Sequence, residues 1–158
     1  MLHFDRAFID MVRSHPKSKA LLDKAPLTPI LVAESMLGHT LPPSYKEFLS
    51  QLNGGAFSGI QLFGIDRGDH LDFILQLAEL SSFIPSVEAR IMIPFARDWG
   101  GSIYCFDTYH PAGDGEYPIW YWNHEYSEEP ADAPYVWFQV ETDFVTFIYS
   151  QFSQGNGR

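Results

Sequence analysis

Leu41 to Gly55 reads LPPSYKEFLSQLNGG, and it holds a helix start, an apolar stripe and a stop. Pro42 and Pro43 suit a first helical turn, where a missing N–H loses no intrahelical bond and φ is already set. Tyr45, Phe48, Leu49 and Leu52 fall at i, i+3, i+4 and i+7, one face of a 3.6-residue period. Lys46, Glu47, Ser50 and Gln51 take the opposite face, so the stripe is to be buried and the rest solvated. Asn53, Gly54 and Gly55 tolerate positive φ, which predicts a left-handed cap and a sharp turn into a strand.

Upstream, Phe4, Phe8 and Met11, with Ala7 and Val12 beside them, predict a first helix over His3 to Ser14, stopped at His15-Pro16. Pro16 to Pro26 reads as a loop. Thr28 and Pro29 open a second helix that offers Leu31, Val32 and Met36 to the core and ends at Gly38. Downstream, Ile60 to Ile65 is a strand running into an Asp66-to-Asp69 turn. Leu71 to Phe83 fits neither period and reads as a loop with a helical turn. Ile91 to Phe95 is a strand whose Pro94 belongs at an edge or a bulge. Asp98-Trp99-Gly100-Gly101 turns it into a second strand, Ser102 to Thr108, and a third follows over Tyr117 to Glu125, making an antiparallel meander. Glu128 to Pro134 is an exposed acidic loop and Tyr135 to Val140 a short edge strand. Thr142 or Asp143 then caps a last helix whose stripe is Phe144, Phe147, Ile148 and Phe152. This order predicts a single α+β domain over 1–158, a twisted antiparallel sheet packed with helices. It comprises a helical region at 1–40, a core at 41–152 and a frayed tail at 153–158.

With 158 residues, 46% of them hydrophobic, the chain can bury a substantial core. No apolar run approaches the length of a bilayer span and no export signal opens the sequence, so the expected location is the cytoplasm. Cys105 is the only cysteine, which excludes an internal disulfide and a multi-thiolate zinc site. A net charge of −10 argues against nucleic-acid or anionic-membrane partners. Its distribution is uneven: Asp98 to Gly157 carries ten acids and no Lys or Arg, and the remainder is balanced.

No catalytic residue, metal site or cofactor motif stands out. His124 and Glu125, read as strand neighbours, point to opposite faces and cannot share a ligand site. Asp66, Asp69 and Asp72 lack the spacing and distal Glu of a calcium loop and read as solvated turn acids. Cys105, inside an aromatic strand with no cation nearby in sequence, reads as a small core residue. Gly54-Gly55 and Gly100-Gly101 lack phosphate-binding patterns and are turn glycines. The strands themselves are apolar on both faces. Either a second helical layer covers the far face or that face exposes aromatic rings, which typically anchor protein interfaces.

LPPSYKEFLSQLNGG resembles the opening helix and Asn-Gly-Gly turn of the SUKH superfamily. Ile93-Pro94-Phe95-Ala96, Asp98-Trp99-Gly100-Gly101 and Ile103 to Asp107 are similar to its next segment, Trp122-Asn123-His124-Glu125 to its Trp-Xaa-His-Glu, and Phe144 to Ile148 to its terminal helix. Ser102 departs from the Asn or Asp of the pattern. The resemblance implies the same α+β fold and a non-catalytic protein-binding role, in bacteria as an immunity protein that neutralises a polymorphic toxin. Its fungal branch implies the alternative, a regulatory or scaffold domain related to cell-wall-assembly regulators. A metal-dependent hydrolase using His124, Glu125 and Asp107 is a third reading. A toxin with nuclease activity is often basic, and an acidic domain is suited to occlude it. The expected docking residues are therefore the acids Asp98, Asp107, Asp114, Glu116, Glu125, Glu128, Glu129 and Asp132, with Trp99, Tyr109, His124 and Tyr126 among them.

Overall fold

Pro43 opens a helix, α3 (Pro43–Leu49), as its sequence predicts, and Tyr45, Phe48, Leu49 and Leu52 are all fully buried. The computed structural model of the chain describes residues 3–130, 133 and 135–155. The end of α3 differs from expectation. Ser50 stays right-handed, and Leu52 N–H still reaches the Phe48 carbonyl at 2.8 Å, so no left-handed cap closes the helix at Asn53-Gly54. Positive φ at Gly54 (+79°) serves a close crossing instead: a Cβ there would lie 2.7 Å from Leu62 O and 2.8 Å from Gly64 N. Asn53 fastens the same crossing, donating Nδ2–H to Ile65 O at 2.8 Å and accepting Ile65 N–H at 2.7 Å. Gln51 is not free on the solvent side either, because its amide donates to Phe4 O at 3.0 Å.

The strand expected after the glycines is β1 (Gly55–Phe57), hairpinned to β2 (Ile60–Leu62). β3 (Met92–Asp98), β4 (Ile103–Asp107) and β5 (Ile119–Trp122) form the predicted meander, and β6 (Trp137–Glu141) adds the predicted edge. Among the described residues the sheet has six strands in sequence order, every neighbouring pair antiparallel. Pro94 lies at a bulge: the register with β4 shifts between Pro94 and Ala96, and β2 pairs only with Ala96 to Asp98. The missing N–H of Pro94 therefore breaks no ladder bond to β2. The third strand is shorter than predicted, since His124–Tyr126 is a 3-10 turn capped by the Asn123 side chain. The opposite-faces argument for His124 and Glu125 accordingly does not apply.

The helices correct several expectations. α1 (Arg6–Ser14), capped by Asp5, buries Ile9 and Val12, while Met11 is half exposed and Phe4 enters the core from before the helix. α2 (Leu27–Leu37) ends at Gly38 as expected, in a left-handed cap, but it turns Ile30, Ala33 and Leu37 inward and leaves Leu31, Val32 and Met36 exposed. Apolar residues lie all round this helix, so periodicity cannot choose its buried face. Leu71 to Phe83 is not a loop: it contains the nine-residue α4 (Phe73–Ser81), whose buried row is Phe73, Gln76, Leu77 and Leu80. A glutamine in that row disguised a regular i, i+3, i+4, i+7 stripe. α5 (Pro85–Glu88) follows directly, and α6 (Phe144–Gly155) closes the fold.

Asp66, Asp69 and Asp72 are not equivalent solvated acids. Asp72 is buried and caps α4, accepting from Ile74 N–H and Leu75 N–H, with Gly68 N–H on its other oxygen. Asp69 takes two bonds from the buried Arg67 guanidinium, at 3.0 and 2.9 Å. Those bonds hold its carboxyl below the usual carboxylate range despite the opposing effect of desolvation.

Both answers to the two-faced sheet hold at once. On one face, α3 and α6 bring Tyr45 and Phe144 onto Phe95 and Phe106, which stack with ring centres 4.1 Å apart. Cross-strand register places Arg97, Ile103, Trp122 and Trp137 on the other face. There α4 packs on β3, with Gln76 bonded to Arg97, and the α4–α5 corner sets Phe83 against Trp122 with ring centres 6.0 Å apart. This second layer stops short of β6, leaving Trp120 and Trp137 partly uncovered.

Candidate functional site

The β3–β4 turn is held by Asp98, whose Oδ1 accepts Gly100 N–H and Ser102 N–H at 3.0 and 2.9 Å and whose Oδ2 accepts the Tyr121 hydroxyl at 2.6 Å. Trp99 projects from its tip, 67% exposed. Behind the turn, buried Ser102 accepts His124 N–H at 3.1 Å and faces His124 Nδ1 at 3.0 Å. Ser102, the departure from the family pattern, thus has a definite polar role. The hydroxyl is buried and committed, and among the described residues no carboxylate is bonded to the imidazole, so the pair fixes a turn.

Two of the expected docking acids are spent inside the fold. Asp107 is buried and accepts Tyr109 N–H at 2.9 Å and His110 Nδ1 at 2.7 Å. Glu116 is buried and accepts Ser44 N–H at 2.9 Å and Ser44 Oγ–H at 2.6 Å, supplying from the β4–β5 loop the carboxylate that the start of α3 lacks. Neither is available to a partner. Asp98, half-buried with both oxygens engaged, shapes the surface without leading it. Asp114, His124, Glu125, Tyr126, Glu128 and Glu129 are exposed, and Tyr109 is the most open aromatic, at 73%. Asp132 lies outside the described residues.

Glu128 and Glu129 meet residues that periodicity alone did not single out. With Phe83, Pro85, Met92, Trp122 and Trp137 they line an open groove of about 820 Å³ between the α4–α5 corner and the outer strands. The signal was the two-faced apolar character of the strands. Reading α4 as a loop concealed where the covering layer ends.

Cys105 is fully buried, and burial pushes its thiol well above the usual range, away from the thiolate needed for attack. Among the described residues no group of three or more His, Cys, Asp and Glu is placed to hold a metal ion. None of their helices is long and apolar enough to cross a membrane.

The model of the SMI1 / KNR4 family (SUKH-1) matches residues 25–150. The chain belongs to this family. Its members are typically immunity proteins and mostly non-catalytic. No curated protein matches the chain. Residues 3–24 precede the match, yet they pack into the same core: Phe4, Ile9 and Val12 are buried, and Glu47 on α3 accepts Phe4 N–H at 2.7 Å and His3 N–H at 3.1 Å.

Proposed function

We propose that this SUKH-1 domain is an immunity protein that binds a basic toxin domain, of nuclease type, and neutralises it by occlusion in the cytoplasm. The observation that carries the reading is the acidic half: Asp98 to Gly157 contains ten acids and no Lys or Arg. Exposed Asp114, Glu125, Glu128 and Glu129 lie in the same half as exposed Trp99, Tyr109 and Tyr126. Carboxylates of this kind steer a basic partner at long range, and aromatic rings supply the desolvated contact that slows its release. Neutralisation in this mechanism needs no bond broken or formed. The test is capture of the partner from the native cell on immobilised protein, followed by assay of its activity with and without an equimolar amount of the domain. Loss of a toxic activity is the expected result; an equally active partner when bound would overturn it.

The scaffold reading is favoured by one separate feature. α2 presents Leu27, Leu31, Val32 and Met36 to solvent, each more than half exposed, in the charge-balanced part of the chain. An endogenous partner without toxic activity would support that alternative.

A further inference from the structure

We propose that the groove beneath the α4–α5 corner is the anchoring pocket of this surface, and that it seats a bulky apolar side chain from a basic polypeptide segment of the partner. Phe83, Met92, Trp122 and Trp137 form its apolar walls. Phe83 is 55% exposed although it touches Trp122, so one wall stands open to solvent. An isolated exposed ring needs no explanation, but a cavity of about 820 Å³ walled by such rings falls within the roughly 300–1,000 Å³ range of ligand sites.

Charge decides the occupant. Glu128 and Glu129 line the groove and are both exposed, and no Lys or Arg lines it among the described residues. A second copy of the chain would bring another net charge of −10 to this place, whereas a Lys- or Arg-bearing segment is attracted to it. The arrangement matches an interface anchor, an apolar pocket ringed by complementary charge.

The proposal rests on the toxin-binding reading only for the identity of the partner, and the groove can be tested alone. The probe is a short capped synthetic peptide in which Phe alternates with Lys, with a twin carrying Glu for every Lys. The readout is the indole N–H resonances of the isotopically labelled protein, which has four tryptophans. The Lys peptide is expected to move the Trp122 and Trp137 signals and leave Trp99 in place, and the Glu twin to bind at least tenfold more weakly. Phe83→Asp, at an exposed position, is expected to weaken the Lys peptide at least tenfold while leaving the resonances of residues away from the groove in place. Glu128→Lys with Glu129→Lys is expected to weaken it and flatten its salt dependence. No shift at millimolar peptide, shifts centred on Trp99, or indifference to Phe83→Asp would each overturn the proposal. Neutralisation of a captured toxin by Phe83→Asp as effective as by the parent would overturn it too, leaving the immunity reading intact. Peptide binding in the groove without any neutralised toxin would leave the groove standing and remove the immunity reading.

Discussion

Gly54 and Gly38 hold nearly the same positive φ, +79° and +73°, yet their surroundings differ completely. A Cβ at Gly38 meets nothing within 4 Å, whereas one at Gly54 meets backbone atoms of the Leu62–Gly64 segment from 2.7 Å. Gly38→Ala should therefore cost only the left-handed strain, about 1–2 kcal/mol. Gly54→Ala adds a clash with backbone that Asn53 pins in place, and the loss should exceed that of Gly38→Ala by at least about 1 kcal/mol. Urea midpoints of the two variants check this, and equal losses would show that the crossing is not tight. Tyrosines make a second prediction at this scale. Burial, joined by the charges of Tyr121 and Asp98, pushes Tyr104 up to about 12, and burial also raises Tyr45 and Tyr121. A raised folded value means the unfolded chain gives up its protons first. The stability is complete below about pH 10, the ordinary tyrosine value, and is lost as pH rises towards 12. Alkaline titration of unfolding should show this slope, and Tyr104→Phe should make it shallower; an unchanged slope would exclude Tyr104 as a source.

At the scale of elements, α2 provides the sharpest check because its outward face contradicts its sequence reading. Ile30→Ala should cost about 2–5 kcal/mol as a buried truncation, while Leu31→Ser, on the exposed side, should stay within about 0.5 kcal/mol. Denaturant melts that ranked the two the other way would mean α2 is rotated. The same helix shows where sequence reading stops. α3, α6 and the meander were legible because their apolar and polar residues separate by period, and Pro94 because a proline has few places in a sheet. α2 is apolar all round and α4 carries Gln76 in its buried row, so for both the deciding information is tertiary. Asp107 and Glu116 illustrate the same limit for the site. In the sequence they look no different from Glu128 or Glu129; in the structure Asp107 is bonded by Tyr109 and His110, two and three residues on, and Glu116 by Ser44, 72 residues away in sequence. The groove was half legible, since the strands announce a second apolar face without saying which part of it the short α4–α5 layer leaves open.

For the molecule as a whole, the separation of charge along the chain becomes a separation of tasks. The balanced N-terminal part builds α1 to α3 and ties them together through pairs such as Lys46–Glu34 at 3.0 Å, while the acidic remainder has no Lys or Arg before its last residue. Its exposed carboxylates sum to a field that reaches about 8 Å into physiological saline and acts before any contact forms. Reversing Glu125, Glu128 and Glu129 to Lys should thus slow association with a basic partner by roughly tenfold or more at low salt and flatten the salt dependence. Folding should be unaffected, because all three side chains are exposed and no ion pair in the described structure uses them. Tyr109→Ala, which changes no charge, should instead act on dissociation. Stopped-flow kinetics with the captured partner at low and high ionic strength separates the two effects. An association rate unmoved by the triple reversal would mean that the partner approaches from another side, and the acidic half would lose its claim to be the docking face.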